Sequence, residues 1–244
     1  MFLLGSAAAL TAASCGGSVA PAAPTAPPTT ITPPSVSWTD ALTAADFDSV
    51  PTCMRTPASG RGPFPTTGLL ERRDITDGYP GRPFRCAIRV VDADCVPIPG
   101  AAVEIWHTDA SGDYSQYVDG GSGKDEADGT NFCRGLQTAG DDGIVEFHTI
   151  YPGWYDSRTI HIHATVYVDG DDTLTTQLYF DEAYTERVMA EGEYAQYGPP
   201  DTTWGTDSVA GDPVAEGTAI TLIDAELDGR QATVGLINIG IHRS

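Results

Sequence analysis

Short alternating runs of apolar and polar residues, separated by turn formers, dominate the chain from residue 84 onward. Apolar side chains recur at nearly every second position in FRCAIRVVDAD, AAVEIWHTD, GIVEFHTIY, IHIHATVY and TTQLYF. This period is typical of β-strands with one face directed at a core. The final run, TAITLIDAELDGRQATVGLINIGI, predicts a hairpin that turns at Asp228-Gly229. Roughly seven or more short strands predict an all-β fold, namely an antiparallel β-sandwich.

Helical patterns are confined to two short windows. The segment DEAYTERVMAE has the most helix-like pattern in the chain. A second short helix is predicted within residues 38–50, with Thr39 or Asp40 as its N-cap. Residues 53–83 and 110–129 are rich in Gly, Pro and Asp and predict long loops. The expected fold is therefore a β-sandwich with long loops and one or two short helices.

The first 37 residues lack the strand pattern. Residues 1–15, MFLLGSAAALTAASC, form a short apolar stretch with small residues ahead of Cys15. This pattern predicts an export signal in which Cys15 is the residue that receives a lipid; a plain cleaved signal peptide is the alternative. Residues 16–37 carry no charge and are rich in Pro and Thr, which predicts an extended spacer. The folded domain is then 38–244, and the protein is expected to be secreted or lipid-anchored at the cell surface.

The charge balance restricts the partners. The 13 basic and 34 acidic residues give a formal net charge of −21, and Lys124 is the only lysine. Binding to nucleic acid or to an anionic membrane requires the opposite sign of charge. The composition argues against both partners and is typical of a soluble protein outside the cell.

Four cysteines lie in the predicted domain: Cys53, Cys86, Cys95 and Cys133. An even number of cysteines in an exported domain predicts two disulfides, although the sequence leaves their pairing open. A metal cluster is the alternative, but no two of these cysteines have C-x-x-C spacing.

Two histidines two residues apart interrupt the strand-like run IHIHATVY. His161 and His163 share one face with Thr165 and Tyr167, whereas the intervening apolar residues share the other. A solvent-facing strand surface has this pattern, but two imidazoles at i and i+2 can also bind one metal ion. The pair alone leaves both interpretations open. The remaining histidines, His107, His148 and His242, are expected to be structural or solvent-facing.

A series of segments resembles the intradiol ring-cleavage dioxygenases, and more narrowly their secreted branch. The resemblance covers most of residues 53–180. It is carried by GPF, RRDITDGYPGRPF, VVDADCVPIPGAAVEIWHTDASGDYS, FCRGLQT, DGIVEFHTIYPGWYDSRTIHIH and TQLYF. The order and spacing of so many segments are far more specific than an isolated H-x-H pair.

The resemblance implies a non-haem Fe(III) site with four protein ligands: Tyr114, Tyr155, His161 and His163. Anionic phenolates are hard ligands that favour the ferric state, and imidazoles are common iron ligands. Taken singly, Tyr114 could be a turn residue and Tyr155 a packing residue. Their joint occurrence at the motif positions favours the ligand interpretation.

The resemblance also implies a reaction and further site residues. O2 would be inserted into a catechol-type diol to give a cis,cis-muconate type product. Tyr155 would accept a substrate proton, Arg158 would stabilise negative charge on the ring, and Gln177 would position the substrate. The pocket wall would include Gly62, Pro63, Phe64 and Trp154.

Two features qualify these expectations. The secreted branch often has Cys where this chain has Thr108, so its disulfide pattern is not carried over.

A secreted β-sandwich binding module without catalysis would also explain the strands, spacer and acidity. That module gives no reason for the two tyrosines at the motif positions. A zinc hydrolase would need a further carboxylate or His at a fitting position, and none is apparent.

Overall fold

Two sheets packed face to face account for all strands in the described part of the chain. The computed structural model describes residues 35–51, 54–62, 70–116 and 129–242. Sheet A has the strand order β1-β8-β9-β2-β5, and sheet B the order β4-β3-β6-β7. The strands are β1 (Ser35–Val36), β2 (Pro83–Val91), β3 (Ala102–Trp106), β4 (Arg134–Thr138), β5 (Ile144–Ile150), β6 (His161–Val168), β7 (Asp171–Tyr179), β8 (Thr221–Leu227) and β9 (Arg230–Gly240).

The predicted all-β sandwich is confirmed, with one difference in strand direction. Sheet B is antiparallel throughout. In sheet A, however, β2 pairs with β9 in parallel, and β1 pairs with β8 in parallel. Strand β1 lies within residues 16–37, which the sequence predicts as a spacer. The predicted hairpin joins β8 to β9 at Asp228 and Gly229, both of which have positive φ.

The main core lies between the two sheets. It includes Phe84 and Ile88 of β2, Ile105 of β3, and Ile162 and Val166 of β6. Each large apolar side chain that is fully buried contributes about 1.5–3 kcal/mol to folding. Side chains alternate between the two faces of a strand, so Ile162 and Val166 of β6 lie on the inner face. His161, His163, Thr165 and Tyr167 therefore lie on the outer face of sheet B.

The two predicted helices differ in outcome. Helix α1 (Glu182–Met189) is present, and the Asp181 side chain caps it by accepting a hydrogen bond from Tyr184 N at 2.8 Å. The predicted helix in residues 38–50 is only a 3₁₀ turn, Ala44–Phe47, with Thr43 rather than Thr39 or Asp40 at its N-cap. Among the described residues, no helix is both long and apolar enough to cross a membrane.

The prediction of two disulfides is wrong. Cys86 and Cys133 are free thiols, and both are fully buried. Cys86 belongs to the main core, where a thiol packs as a small apolar group. Cys95 is disulfide-bonded, and neither of the free cysteines is its partner. Cys53 and Cys15 lie outside the described residues.

A buried ion cluster on the outer face of sheet A explains His148. Glu146 accepts hydrogen bonds from Arg85 Nε at 2.6 Å and from His148 Nε2 at 2.8 Å. The Trp38 ring packs over His148 with a centroid distance of 4.1 Å. Burial alone would raise the pKa of Glu146, but hydrogen bonds from His148, Arg85 and Arg73 outweigh it and lower the pKa from 4.5 to about 2. His148 does lie on an outer face, but it is covered rather than solvated.

Candidate metal centre

The register of sheet B places three site residues side by side. Trp106 of β3 pairs with His163 of β6, and His163 pairs with Gln177 of β7. Directly paired residues direct their side chains to the same face of a sheet. The Trp106 and His163 rings are parallel within 3°, with centroids 4.9 Å apart. His161 lies on the same face, two residues before His163.

Two loops bring tyrosines onto this face. Tyr114 follows a tight turn after β3, and Tyr155 lies just before β6. The Asp109 carboxylate forms the first turn by accepting hydrogen bonds from Ser111 N at 2.8 Å and from Asp113 N at 3.1 Å. This local hydrogen bonding fixes the backbone that leads to Tyr114.

The two tyrosine-bearing loops contact each other through their backbones. Gly153 N donates to Asp109 O at 2.8 Å, and Thr108 Oγ1 donates to Gly153 O at 2.7 Å. Gly112 has φ of +91°, and a Cβ atom there would lie 2.1 Å from Trp154 O. Only glycine permits this approach. The positions of the two tyrosines are therefore set jointly.

Four potential donor atoms converge at the centre of the site. His161 Nε2 lies 3.4 Å from Tyr114 Oη, 3.2 Å from Tyr155 Oη and 3.2 Å from His163 Nε2. Tyr114, His161 and His163 are buried, and Tyr155 is half-buried. The structure thus brings together all four predicted metal ligands.

The hydrogen bonding of His161 and the lowered pKa values of both imidazoles suit metal binding. His161 Nδ1 lies 2.7 Å from Thr159 O and must donate to it, so Nε2 is unprotonated and has one lone pair. Burial, followed by the charge of Arg158, lowers the pKa of His161 to about 3. Burial, followed by His161, lowers the pKa of His163 well below its ordinary value. Both rings are neutral at physiological pH, as metal ligands must be.

The two phenols are protonated at neutral pH in the metal-free protein. Burial raises the pKa of Tyr114 well above 10. Burial also raises the pKa of Tyr155, although the nearby Arg158 charge opposes the shift. Ligation as phenolates would release both protons, which the charge of a bound ion makes favourable.

The donor set fits a ferric ion. Three neighbours lie within 3.4 Å of the single lone pair of His161 Nε2, which can accept only one good hydrogen bond. A cation bound among the four donors would satisfy this lone pair together with those of His163 Nε2 and the two tyrosine oxygens. Two phenolates and two imidazoles favour Fe(III), and the described residues contain no alternative cluster of three or more His, Cys, Asp or Glu side chains suited to a metal.

Arg158 and Gln177 lie beside the donors, as the sequence predicts. Arg158 Nη1 donates to Tyr155 Oη at 3.5 Å, and Nη2 donates to Gln177 Oε1. Gln177 Oε1 also accepts from Tyr179 Oη at 3.1 Å, while Gln177 Nε2 donates to Gly60 O at 3.3 Å. These contacts fix the Gln177 amide, so its oxygen serves to orient the guanidinium.

The predicted wall residues have mixed outcomes. Gly62 lies against the His163 ring, since a Cβ atom at this position would be 2.8 Å from His163 Cε1. Trp154 is half-buried, packs against the main core and donates from Nε1 to Gly198 O at 3.0 Å. Pro63 and Phe64 lie outside the described residues. Their predicted contact with substrate stays a prediction.

Three residues of the site were not found from the sequence. Trp106 supports the His163 ring, Thr159 O orients His161, and Asp207 forms an ion pair with Arg158 at 2.9 Å. Nothing in the local pattern around Asp207 distinguishes it from the other acidic loop residues. His107, in contrast, is structural: its ring nitrogens lie 2.7 Å from Thr108 O and 2.9 Å from Thr149 Oγ1.

Known proteins of one enzyme family are similar to this chain in sequence and structure. A family model described as "Dioxygenase" matches residues 64–191, which is 128 of the 244 residues. A chlorocatechol 1,2-dioxygenase of Rhodococcus opacus is 29% identical over a segment that covers 59% of this chain and 64% of that protein. A catechol 1,2-dioxygenase of Acinetobacter baylyi is 28% identical, with 62% and 57% covered.

Structural similarity extends over more of the chain. The solved intradiol ring-cleavage dioxygenase from Tetranychus urticae superimposes with a TM-score of 0.68 at 28% identity. The superposition covers 78% of this chain and 95% of that one. In contrast, the chain spans only about half to two thirds of the length of the curated relatives that it matches. The family match covers more than half of the chain and includes all four converging donors, and the chain therefore belongs to the intradiol ring-cleavage dioxygenase family.

Proposed function

We propose that this protein is a non-haem Fe(III)-dependent dioxygenase that cleaves catechol-type aromatic diols between their two hydroxyl-bearing carbons. Tyr114, Tyr155, His161 and His163 would hold the iron. The observation that carries the proposal is the convergence of two tyrosines and two neutral histidines on one point, at the positions of the family motif. The product would be a cis,cis-muconate type diacid that contains both atoms of O2.

The bound iron would supply the central chemistry, namely coordination of the diol and activation of its ring toward O2. The protein would supply proton transfer, charge and exclusion of water. Tyr155 Oη is the proposed acceptor of a diol proton, because it lies among the donor atoms and within 3.5 Å of the Arg158 guanidinium. That permanently charged guanidinium would stabilise negative charge that develops on the ring.

The non-catalytic binding module is not favoured. It would account for the sandwich, but it requires neither the buried Tyr-His cluster nor membership in a dioxygenase family. Export is part of the proposal, with secretion or a lipid anchor at Cys15. Its support is the apolar stretch before Cys15 and the uncharged Pro/Thr-rich segment that follows.

Product analysis tests the proposed reaction. Iron-loaded protein should convert catechol to cis,cis-muconate under ¹⁸O₂, with both heavy atoms found in the diacid. Hydroxyquinol and protocatechuate belong in the same assay, since the favoured diol is to be identified. A ring-cleaved aldehyde would show the wrong position of cleavage. A folded, iron-loaded protein that consumes no O2 with any of the three diols would refute the proposal.

A further inference from the structure

Asp207 is a fully buried carboxylate outside the segment that defines the family. It lies between the 3₁₀ turn Gly192–Tyr194 and β8, beyond the end of the family match at residue 191. Its side chain is 0% exposed. Buried aspartates are rare unless they are paired, because desolvation strongly disfavours the charge. The contacts of Asp207 therefore need an explanation.

Each carboxylate oxygen of Asp207 makes two hydrogen bonds. Oδ1 accepts from Val209 N at 2.8 Å and from Ala210 N at 3.2 Å, which closes its own loop. Oδ2 accepts from Arg158 Nε and from Thr159 N, both at 2.9 Å. The first pair would suffice for a purely structural aspartate. The second pair reaches across to the segment that carries the site residues.

Asp207 contacts the Arg158 guanidinium at Nε, so Nη1 and Nη2 remain available for contacts with site residues. With Nε held by Asp207, Nη1 is directed at Tyr155 Oη and Nη2 at Gln177 Oε1. Guanidinium is planar, so fixing one edge fixes the direction of the others. Asp207 also compensates the positive charge of Arg158. The Arg158 side chain is only 14% exposed, and its charge acts on the two neutral histidines.

The same carboxylate is also linked to His161 through one residue, Thr159. Asp207 Oδ2 accepts from Thr159 N, and Thr159 O accepts from His161 Nδ1 at 2.7 Å. A hydrogen bond to the second ring nitrogen sets the tautomer and the ring orientation of a ligating histidine. One buried side chain from the C-terminal loop thus holds both Arg158 and the backbone that orients His161.

We propose that Asp207 is a positioning residue, which aims the Arg158 guanidinium at the proton acceptor Tyr155 and keeps the Thr159 carbonyl in place for His161. The proposal rests on the proposed function for its consequence in catalysis. The orientation of Arg158 does not depend on that function and can be measured separately.

The test compares Asp207→Asn with Asp224→Asn in the full chain. Asn is isosteric but has one acceptor oxygen and one NH2 group, so it can satisfy either its own loop or Arg158 and Thr159, and not both. Asp224 is the control, since it too pairs with arginines, Arg82 at 2.8 Å and Arg187 at 3.0 Å, although its side chain is 39% exposed. The measurements are a crystal structure of each metal-free variant, kcat and KM for catechol, and the visible band of the iron-loaded form.

We expect D207N to show an Arg158 guanidinium that has left Gln177, a kcat about 10- to 100-fold lower, and a KM within about threefold of wild type. The visible band should shift, because Arg158 Nη1 contacts a proposed iron ligand. D224N should match wild type in all these measurements. If D207N does not fold, Asp207→Glu replaces it: its longer side chain keeps the charge but cannot reproduce all four bonds, so kcat should again fall.

An unchanged Arg158 orientation in D207N would overturn the proposal, as would equal losses of activity in D207N and D224N. If wild-type protein shows no ring cleavage, the proposed function fails. The crystal structures still decide whether Asp207 orients Arg158.

Discussion

Replacement of His161 by alanine is expected to abolish ferric iron binding and to lower ring cleavage by at least about 1,000-fold. His161 Nε2 is the point on which the other three donors converge, at 3.2–3.4 Å. Loss of a residue that merely supports a metal ligand costs about 10- to 100-fold in metal affinity, and loss of a ligand costs more. A bound metal supplies several kcal/mol of transition-state stabilisation, which is the origin of the large rate effect.

Iron content after ferric reconstitution and O2 uptake with catechol are the two measurements for this variant. His242→Ala is the control, since His242 is half-buried and lines a separate cavity with Arg55, Thr56 and Gly240. It should retain iron and activity. A His161→Ala protein with wild-type iron content and wild-type O2 uptake would show that the convergence of the four side chains is not a metal site.

Gly112→Ala is expected to lower the free energy of unfolding by about 3–5 kcal/mol and to reduce iron binding as well. The added Cβ would lie 2.1 Å from Trp154 O, and an L side chain is strained at φ of +91°. Because Gly112 and Trp154 belong to the two tyrosine-bearing loops, relief of this overlap must move Tyr114 away from Tyr155. The loss of stability and the loss of iron therefore have a common cause.

Gly170→Ala separates the effect of backbone strain from the effect of steric overlap. Gly170 has almost the same conformation, φ of +88°, but a Cβ atom there has nothing within 4 Å. Backbone strain alone should cost about 1–2 kcal/mol in this variant and leave iron binding intact. Urea unfolding at neutral pH gives both values. Equal losses in the two variants would mean that the loops do not constrain each other.

The strand pattern was sufficient for the fold class but not for the surroundings of the histidines. Alternation in β6 correctly separated Ile162 from His161 and His163. It could not predict that both faces are buried, with His161 only 3% and His163 0% exposed. The outer face is covered by loops distant in sequence, so its burial depends on long-range contacts that no local pattern contains.

Helices and cysteines show the same limit. The window at Asp181 combined a cap with a helical pattern, and α1 forms there. Residues 38–50 contain candidate N-cap residues, but the helical pattern after them is too short for an α-helix, and only a 3₁₀ turn forms. The cysteine count predicted two disulfides. However, Cys86 and Cys133 lie in separate apolar clusters, and such placement depends on the tertiary fold.

The resemblance to the family was enough to predict the candidate metal ligands and two residues beside them. Tyr114, Tyr155, His161, His163, Arg158 and Gln177 were all singled out, and the structure brings them together. The residues that support these side chains were not predicted, for a physical reason. Trp106 reaches His163 through strand register, and Asp207 reaches Arg158 across 49 positions of sequence. Neither contact leaves a signal in the local sequence.

The most direct test of the central claim is a visible absorption spectrum of the purified, iron-reconstituted protein, before and after anaerobic addition of catechol. A ferric site held by Tyr114, Tyr155, His161 and His163 predicts a broad tyrosinate-to-iron band that shifts to longer wavelength when the diol binds. A protein that takes up no ferric iron and stays colourless would contradict the claim that these four residues form a metal site.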